Sequence, residues 1–349
     1  MTLAFLVPGS LDQLTGGYLF ARKVVDGLRA MGRTVTVAEL PGRFPDADEA
    51  ARAAAGGALH RLPAGSIAVI DGLALPGFTD CLANEAQRLR LIGFIHHPLS
   101  LETGLSAAEA RRYASLEARL WPLLRGVLCP SAHTAKAVIA AGVAAHRVLV
   151  TMPGTDKPAM TSEQRRPGPL RLLSVGPVIP RKGHLVLVEA LADLREFDWR
   201  LTCIGSIERD RAAAEALRRA IAAKKLGDRV ALAGECSPEV LGAAYRDADI
   251  FVLPSHYEGY GMVYAEALAH GLPIIATTAG AIPETVTATA SLLVPPGDAA
   301  ALRDALRRVF THANLRARLA VGAALAATAL PDWPTAVRRW AAALDQLAV

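Results

Sequence analysis

The sequence predicts an α/β protein of two domains, each built on a parallel sheet. Short apolar runs alternate with helical patterns along almost all of its 349 residues, which is typical of parallel sheets covered by helices. The alternation lapses once, near residues 152–169, into Pro, Gly, Thr, Ser and charged residues that indicate a linker. A chain of this length exceeds one ordinary core and suits two α/β domains.

Six strands are predicted in each half of the chain, with helices between them. The strands are expected at 3–7, 34–38, 67–70, 91–95, 126–129, 147–150, 170–175, 199–204, 229–233, 249–253, 273–276 and 291–293. The helices are expected at 17–31, 46–59, 78–88, 107–124, 132–141, 182–194, 209–225, 238–246, 261–270, 281–285, 299–310 and 313–327, with a last one from 333 at apolar spacing of helical period. The predicted domains are 1–158 and 168–332, followed by a C-terminal helix at 333–349.

The composition is globular, with 52% hydrophobic and 20% charged residues. No apolar run approaches the ~20 residues that a membrane span needs. Residues 2–8 lack a basic leader, so we interpret them as a first strand and not as a signal peptide. The four cysteines are far apart, which argues against a disulfide framework and for reduced thiols. We therefore expect a cytoplasmic protein.

The net charge of +5 is mild, and the basic residues are scattered in pairs on alanine-rich stretches. Because aromatic residues make up only 5% and no basic run contains stacking residues, nucleic-acid binding is disfavoured. The segment 107–125 combines four arginines with apolar residues, so peripheral contact with an anionic inner membrane face stays open. A core helix with a solvated basic face is the favoured interpretation of the same segment.

The segment 250–271 carries the strongest chemical pattern of the chain. An apolar run ends at Pro254, and a loop then holds Glu258 at the carboxyl end of a strand, where open α/β sheets bind ligands. A helix opens near Gly261, so its first N–H groups can meet an anion, most naturally a diphosphate. Glu266 lies about 7 Å further along the helix axis and can accept from a hydroxyl pair. This layout suits a nucleotide-sugar; an exposed turn with a favourable helix charge is the alternative.

The second domain opens with a strand, a bent loop and two cations, Arg181 and Lys182, ahead of a helix. Fixed cations at a strand's carboxyl end, facing a helix N-terminus, would clamp a diphosphate leaving group. A solvent-exposed basic turn is the alternative. The residues that we predict to bind the nucleotide-sugar are Gly16, Gly17, Arg181, Gly259, Tyr260, Gly261, Met262, Val263 and Glu266.

The first domain contributes a glycine pair and a histidine. Gly16 and Gly17 stand just before a helix, so their N–H groups can approach phosphate or sugar closely. The pair is not the G-x-G-x-x-G fingerprint, which disfavours a dehydrogenase. His96 and His97 follow the fourth strand, and adjacent side chains of extended backbone point in opposite directions. We favour His96 as the residue that donates a hydrogen bond to a reacting sugar or orients an acceptor.

No metal site is predicted. A zinc site at the two histidines lacks a third ligand nearby. Two Asp-x-Asp patterns occur, at Asp46–Asp48 and Asp247–Asp249. The first leads into a helix and the second precedes its strand, so neither is placed to hold a metal over a diphosphate.

Taken together, these motifs resemble the retaining GT-B glycosyltransferases of family four, the phosphatidylinositol mannosyltransferase and glycogen-synthase-like group. The resemblance covers essentially the whole chain and is strongest in the second domain. It implies the GT-B fold, with two Rossmann-like parallel-sheet domains facing a deep interdomain cleft and a C-terminal helix that crosses back to the N-terminal domain. The residues that carry it are Glu258 and Glu266 in an E-x(7)-E pattern, Arg181-Lys182-Gly183, Gly280-x-x-Pro283-Glu284 and Gly16-Gly17.

The resemblance also implies a role for each matching residue. Glu258 would hold the donor sugar, Glu266 the ribose and Lys182 the diphosphate. His96 and the glycine pair would close over the donor from the acceptor side, and the predicted catalytic residues are His96, Glu258 and Lys182. One departure concerns the diphosphate, because Pro177 stands where the family often has an arginine, and Arg181 is the predicted substitute.

The implied activity is transfer of a hexose from a UDP- or GDP-linked sugar to a hydroxyl acceptor with retention of configuration. Fixed cations would stabilise the departing diphosphate, so front-face transfer is expected to need no metal and no cofactor beyond the nucleotide-sugar. The acceptor stays open among a small metabolite, a lipid and a glycan. A sugar-nucleotide epimerase of GT-B architecture and a non-catalytic nucleotide-sugar-binding scaffold are the alternatives.

Overall fold

The computed structural model describes residues 2–158 and 168–349, which form two compact units. Unit 1 runs to Gly154 and takes in Pro331–Val349, and unit 2 is Thr155–Leu330. Unit 1 therefore ends before the predicted limit at 158. The predicted linker at 152–169 lies partly outside the described residues, because 159–167 are not among them.

Unit 1 alternates strands with helices along its N-terminal part. Its strands β1 to β6 are Leu3–Pro8, Val35–Leu40, Ile67–Asp71, Arg90–Phe94, Gly126–Cys129 and Val148–Val150. Its helices α1 to α5 are Gly16–Ala30, Glu49–His60, Leu82–Glu85, Ala107–Leu120 and Ala132–Ala140. Short 3-10 turns lie at Leu75–Phe78, Leu99–Leu101, Trp121–Leu123 and Ala145–Arg147.

Unit 2 repeats the alternation, and the chain then returns to unit 1. Strands β7 to β12 are Leu170–Val175, Trp199–Ile204, Val230–Gly234, Ile250–Val252, Ile274–Thr277 and Ser291–Val294. Helices α6 to α12 are His184–Ala192, Arg211–Ala223, Pro238–Asp247, Met262–Ala269, Ile282–Thr285, Ala299–Thr311 and Ala313–Ala329, with a 3-10 turn at Pro180–Lys182. The last helix, α13, is Trp333–Ala348.

Each unit is built on one six-stranded sheet, and every strand pair in the two sheets is parallel. The order is β2-β1-β3-β4-β5-β6 in unit 1 and β12-β11-β10-β7-β8-β9 in unit 2. The strand order therefore reverses between β1 and β3 in unit 1, and between β10 and β7 in unit 2. Ligands of open α/β sheets bind outside the carboxyl ends of the strands at such reversals. The predicted α/β class with parallel sheets is confirmed.

The strands could be recognised because helices cover both faces of a parallel sheet, which makes its strands continuous apolar runs. All six residues of β1 are buried, and so are all five of β3. In unit 1 a large apolar cluster surrounds Phe78 and Trp121. In unit 2 large apolar clusters surround Trp199 and Phe251.

Helix α13 packs into unit 1, as the prediction of a returning C-terminal helix required. Trp340 stacks on Phe5 of β1 with ring centroids 5.4 Å apart. A side chain at Gly27 of α1 would lie 2.6 Å from Val337, so the absence of a side chain there lets the two helices approach closely. The apolar spacing of the last stretch is thus explained by its burial against β1 and α1.

Most predicted helix limits differ from the observed ones by one to three residues, and for three helices the structure shows the reason. Over the predicted helix 78–88, Phe78 and Leu82 are both fully buried at helical spacing, but the chain between them turns and only Leu82–Glu85 is helical. The predicted start at 182 moves to His184, because Gly183 adopts a left-handed conformation with φ of 70°. The helix predicted to run to 124 ends at Leu120, since Pro122 supplies no N–H and leaves a 3-10 turn.

Candidate functional site

The reversal in unit 2 brings together residues from two distant parts of the sequence. Strands β7 and β10 pair directly, with Leu172 beside Ile250. The loop after β7 holds the two predicted cations in the turn Pro180–Lys182, and the loop after β10 holds Glu258. The predicted cations and the first predicted carboxylate therefore lie at the same end of one sheet.

Glu258 is held by three side chains. Its Oε1 atom accepts hydrogen bonds from Lys182 Nζ at 2.6 Å and from Ser255 Oγ at 2.6 Å. Its Oε2 atom lies 3.4 Å from a terminal nitrogen of Arg181, which also donates to the Tyr257 carbonyl at 3.0 Å. Only 5% of Glu258 is exposed, so this ion-paired cluster is shielded from water.

The cluster keeps Glu258 ionised despite its burial. Burial alone would raise the pKa of its carboxyl group, but the charges of Lys182 and Arg181 outweigh burial and lower the pKa. The group of two cations and one carboxylate carries one net positive charge. Arg181 thus lies beside Glu258, where it provides a second cation although Pro177 occupies the position at which the family often has an arginine.

Backbone contacts fix the loop of Glu258. A side chain at Gly183 would lie 2.2 Å from the Pro254 carbonyl oxygen, and one at Gly280 would lie 2.3 Å from the Glu258 carbonyl oxygen. Both glycines have positive φ, which other residues rarely adopt. The Ala281 N–H donates to the Glu258 carbonyl at 2.9 Å. The Gly280-x-x-Pro283-Glu284 motif therefore contributes its glycine to the support of Glu258, while Glu284 is exposed.

Helix α9 opens beside this loop without a side-chain cap. Gly261 precedes it with φ of 86°, and within the described residues no side chain caps the first N–H groups of the helix. Tyr260 is buried, and its carbonyl accepts from Thr285 Oγ1 at 2.6 Å, so its ring does not line an open surface. Met262 and Val263 are partly exposed. The opening of α9 can therefore present backbone N–H groups and its positive dipole end to an anion.

Glu266 is held by a neutral partner. Tyr245 of α8 donates its hydroxyl to Glu266 Oε2 at 2.8 Å, and its ring stacks on His270 at 4.8 Å and on Phe251 at 6.0 Å. Burial of the carboxyl group, with Asp156 as a lesser cause, raises the pKa of Glu266 although the tyrosine hydroxyl opposes that rise. The residue as a whole is partly exposed, although its carboxyl group is largely buried.

The glycine pair and His96 lie together in unit 1. Helix α1 begins at Gly16, and a side chain at Gly17 would lie 3.4 Å from the His96 ring. The Nε2 atom of His96 lies 3.1 Å from Asp71 Oδ2, at the end of β3. His97 contacts a different carboxylate, with its Nε2 3.1 Å from Glu102 Oε2. Of the two histidines it is therefore His96 that packs against the glycine pair.

Three supporting residues were not predicted from the sequence. Ser255, which donates to Glu258, lies inside the segment 250–271 but was given no role. Asp71, which holds His96, is the last residue of the buried strand β3, and a polar residue at a strand end was the same signal that identified His96. Tyr245 lies on a different helix from Glu266, and no sequence spacing connects the two.

The aspartates of the two Asp-x-Asp patterns make structural contacts. Asp247 and Asp249 bridge to Arg171 of β7, at the amino end of the sheet. Asp46 contacts Arg112, and Asp48 caps α2. Within residues 2–158 and 168–349 no group of three or more His, Cys, Asp or Glu side chains is arranged to hold a metal ion.

Five apolar residues of the segment 107–125 belong to the core of unit 1. Tyr113, Leu120, Trp121 and Leu124 are buried, and Leu116 packs against the same core. The arginines at 111, 112, 119 and 125 are exposed. The segment therefore has a core-facing apolar side and an exposed basic face, and of its large apolar residues Leu123 is exposed. Among the described helices, none has the length and apolar character needed to cross a bilayer.

The chain resembles known glycosyltransferases in sequence. Residues 169–312 match the protein family described as glycosyl transferases group 1. The D-inositol 3-phosphate glycosyltransferase of Pseudarthrobacter chlorophenolicus is 30% identical over 243 residues, which cover 66% of this chain and 57% of that protein. The chain spans about half the length of the curated relatives it matches.

Solved structures share the fold of the whole chain. The sucrose-phosphate synthase of Thermosynechococcus elongatus superposes with a TM-score of 0.83 at 20% identity, over 99% of this chain and 98% of that one. Anabaena HepE in complex with UDP-glucose gives 0.75 at 19% identity, over 99% of each chain. The GT-B fold class is thereby confirmed, and the family resemblance is confirmed for the second domain. This chain carries a glycosyl transferases group 1 domain at residues 169–312.

Proposed function

We propose that the protein is a retaining glycosyltransferase that moves a hexose from a UDP- or GDP-linked sugar to a hydroxyl acceptor. The observation that carries the proposal is the buried cluster of Glu258, Lys182 and Arg181 beside the uncapped start of α9. The names of the relatives and the group 1 domain support the same reaction class. HepE, which was solved with UDP-glucose, makes that donor the first to try.

The charges of the cluster suit a diphosphate leaving group. An ammonium can serve two acceptors at once, so Lys182 can donate to a phosphate oxygen while it keeps its contact with Glu258. Arg181 and the N–H groups at the start of α9 add further stabilisation for charge that develops as the sugar departs. Glu258, whose position Ser255 and Lys182 fix, would accept hydrogen bonds from hydroxyls of the donor sugar.

The proposed transfer occurs on one face of the sugar. The departing diphosphate takes the proton of the acceptor hydroxyl, and the new glycosidic bond forms on the face from which the diphosphate leaves. Fixed cations take the part that a metal plays elsewhere, so no metal or cofactor enters the reaction. Turnover should therefore be the same in EDTA as in magnesium. A fall of tenfold or more in EDTA would contradict metal independence.

The two alternatives differ in what they do with a nucleotide-sugar. An epimerase would convert the sugar without an acceptor, and a scaffold would bind it without turnover. Incubation of the chain with UDP-glucose and with GDP-mannose, with and without a panel of hydroxyl acceptors, separates the three by NMR of the sugar. Retention of the anomeric configuration in an acceptor product is the result that we expect.

The matching variant experiment uses two carboxylates that bridge the same strands. Glu258 pairs with Lys182 after the carboxyl ends of β7 and β10, and Asp249 pairs with Arg171 at their amino ends. Glu258→Gln should lose turnover by roughly 10²-fold or more, as expected when a group positioned at the reacting sugar is removed. Asp249→Asn should keep turnover, because it lies at the other edge of the sheet. Equal loss in both variants, or no loss in Glu258→Gln, would contradict the assignment.

A further inference from the structure

Asp71 and His96 contact each other in unit 1, and the proposed function gives this contact no role. Asp71 ends strand β3, which borders the reversal of the strand order, and His96 follows the neighbouring strand β4. The His96 Nε2 atom lies 3.1 Å from Asp71 Oδ2. Only 7% of Asp71 is exposed, so the contact is made away from bulk water.

Both oxygens of Asp71 are engaged. Its Oδ1 atom accepts from the Leu73 N–H at 2.8 Å, and that bond fixes the plane of the carboxylate. A carboxylate has no proton to give, so it can only accept from the imidazole. The Nε2 atom of His96 must then carry a proton. In a neutral imidazole the other nitrogen, Nδ1, carries a lone pair and accepts hydrogen bonds.

The ring of His96 is fixed by its neighbours. It packs on Phe94 with centroids 4.4 Å apart and on Phe20 at 6.1 Å. A side chain at Gly17 would lie 3.4 Å from its Cδ2 atom, so the start of α1 covers one edge of the ring. No hydrogen bond reaches Nδ1 from the part of the chain that the structure describes.

We propose that Asp71 is a positioning residue that keeps the single imidazole proton on Nε2, so that His96 meets its ligand through Nδ1 as the acceptor of a hydroxyl hydrogen bond. The ligand group is thus a sugar or acceptor hydroxyl that donates to His96. This inference rests on the proposed function, and it chooses between the two roles that the sequence left to His96. Donation from neutral His96 to a sugar oxygen would need the opposite tautomer.

The neighbouring histidine supplies a matched control. His97 also has a carboxylate at 3.1 Å, from Glu102, but it does not pack on the glycine pair. Glu102→Gln therefore removes the charge from an equivalent contact one residue away. Asp71→Asn keeps the size of the side chain and can still accept from Leu73, but its amide can turn an NH₂ group toward the ring.

The first readout is the tautomer of His96, measured by ¹⁵N NMR of the imidazole in the free protein near neutral pH. We expect the wild type and Glu102→Gln to carry the proton on Nε2. We expect Asp71→Asn to show a substantial population of the Nδ1-protonated form. Protonation of Nδ1 in the neutral wild-type ring, or an unchanged tautomer in Asp71→Asn, would overturn the inference. A wild-type ring protonated at Nδ1 would overturn the inference even if Asp71→Asn fails to fold.

The second readout is turnover. Asp71→Asn should lower kcat by roughly 10²-fold, because a wrongly placed proton removes the acceptor that the hydroxyl needs. The KM for the nucleotide-sugar should change little, since Asp71 does not belong to unit 2, which carries the proposed diphosphate contacts. A rise in KM with unchanged kcat would contradict a positioning role. Absence of turnover in the wild type would overturn the proposed function, while the tautomer measurement would still decide this inference.

Discussion

Glu258 and Glu266 are the same residue type in one strand–loop–helix segment, yet their surroundings differ in charge. Glu258 meets two cations and a hydroxyl, and its pKa is lowered. Glu266 meets the hydroxyl of Tyr245, and its pKa is raised mainly by burial. The sequence motif therefore determines where each carboxylate lies, whereas the side chains packed around each carboxylate determine the direction of its pKa shift.

The two surroundings suit two different tasks. Glu258 is a fixed negative charge tied to Lys182 and Arg181, so it holds these cations in place beside the proposed diphosphate. Glu266 suits neutral hydroxyl groups such as those of a ribose, because no ion pair with a cation restrains it within the described residues. Four predictions follow from this contrast, ordered by the expected size of the effect.

Removal of the cation next to Glu258 should have the largest effect on stability. Lys182→Met leaves the Glu258 carboxylate buried and poorly paired, which should lower the free energy of unfolding by about 3–5 kcal/mol. Lys182→Met combined with Glu258→Gln should recover most of that loss, because the uncompensated charge is gone. Urea unfolding at neutral pH measures both. A Lys182→Met variant as stable as the wild type would contradict a buried ion pair between Lys182 and Glu258.

The second prediction concerns His184, a buried histidine near Lys182 whose protonation is unfavourable. His184, the first residue of α6, is 4% exposed, and neither ring nitrogen has a hydrogen-bond partner among the described residues. Burial, with a smaller contribution from the Lys182 charge, lowers the pKa of His184 from 6.5 to about 4. In the unfolded chain His184 is therefore protonated below pH 6.5, whereas in the folded protein it is protonated only below about pH 4.

Stability should consequently fall as the pH drops from 6.5 to 4, by up to about 3 kcal/mol from this residue. His184→Leu should remove this pH-dependent loss of stability, because it replaces the imidazole by an apolar side chain of similar size that does not titrate. Urea unfolding of both proteins between pH 4 and pH 8 tests the prediction. Acid loss at Glu258 occupies a lower window, below its ordinary pKa of 4.5, because its folded pKa is depressed. Parallel curves for wild type and His184→Leu above pH 4.5 would contradict the assignment.

The neutral surroundings of Glu266 predict a ligand effect and little loss of stability. Glu266→Gln should weaken binding of a ribonucleoside diphosphate by roughly 10-fold to 100-fold, the value of one or two hydrogen bonds to a charged group. The 2′-deoxy analogue should bind the two proteins more equally. Glu239→Gln, an exposed glutamate of α8, is the control and should bind as the wild type does. If Glu266→Gln kept the full preference for ribose, the hydroxyl pair would have to bind elsewhere.

Tyr245→Phe should give the smallest effect. Loss of one hydroxyl that donates to Glu266 should cost about 1 kcal/mol of stability and weaken nucleotide binding a few-fold. Tyr264→Phe is a matched control, because its buried hydroxyl donates to the Leu253 carbonyl at 2.8 Å instead of to a carboxylate. Both variants should lose similar stability, but only Tyr245→Phe should lose ribose preference. The same ribose preference in both would remove Tyr245 from the account.

Much of the fold could be predicted because the local pattern of apolar residues indicates which side chains are buried. The strands at 126–129, 170–175 and 199–204 were placed on their observed residues, and the limits of the others shifted by at most two positions. The helix at 78–88 was misplaced because Phe78 and Leu82 have helical spacing without a continuous helix between them. Periodicity reports which side chains are buried, and a turn can bury the same two residues.

The candidate site was predictable only in part. Strand-end position brought Lys182 and Glu258 to one edge of the sheet, but their direct pairing depends on which strands are neighbours, and β7 and β10 are far apart in sequence. The partner of Glu266 was invisible for the same reason, since Tyr245 reaches it from another helix. The pairing of His96 with Asp71 likewise joins two neighbouring strands of unit 1. Long-range contacts of this kind have no local signal.

The most direct test of the central claim is calorimetric binding of matched ligand pairs, uridine with UDP and guanosine with GDP. We expect one diphosphate to bind at least about 100-fold tighter than its nucleoside, because the cations and the start of α9 contact the phosphates. Lys182→Met combined with Glu258→Gln should lose most of that preference, and Asp249→Asn should retain it. Equal binding of nucleoside and diphosphate, or an undiminished preference in the double variant, would contradict the assignment of this cluster as the diphosphate site.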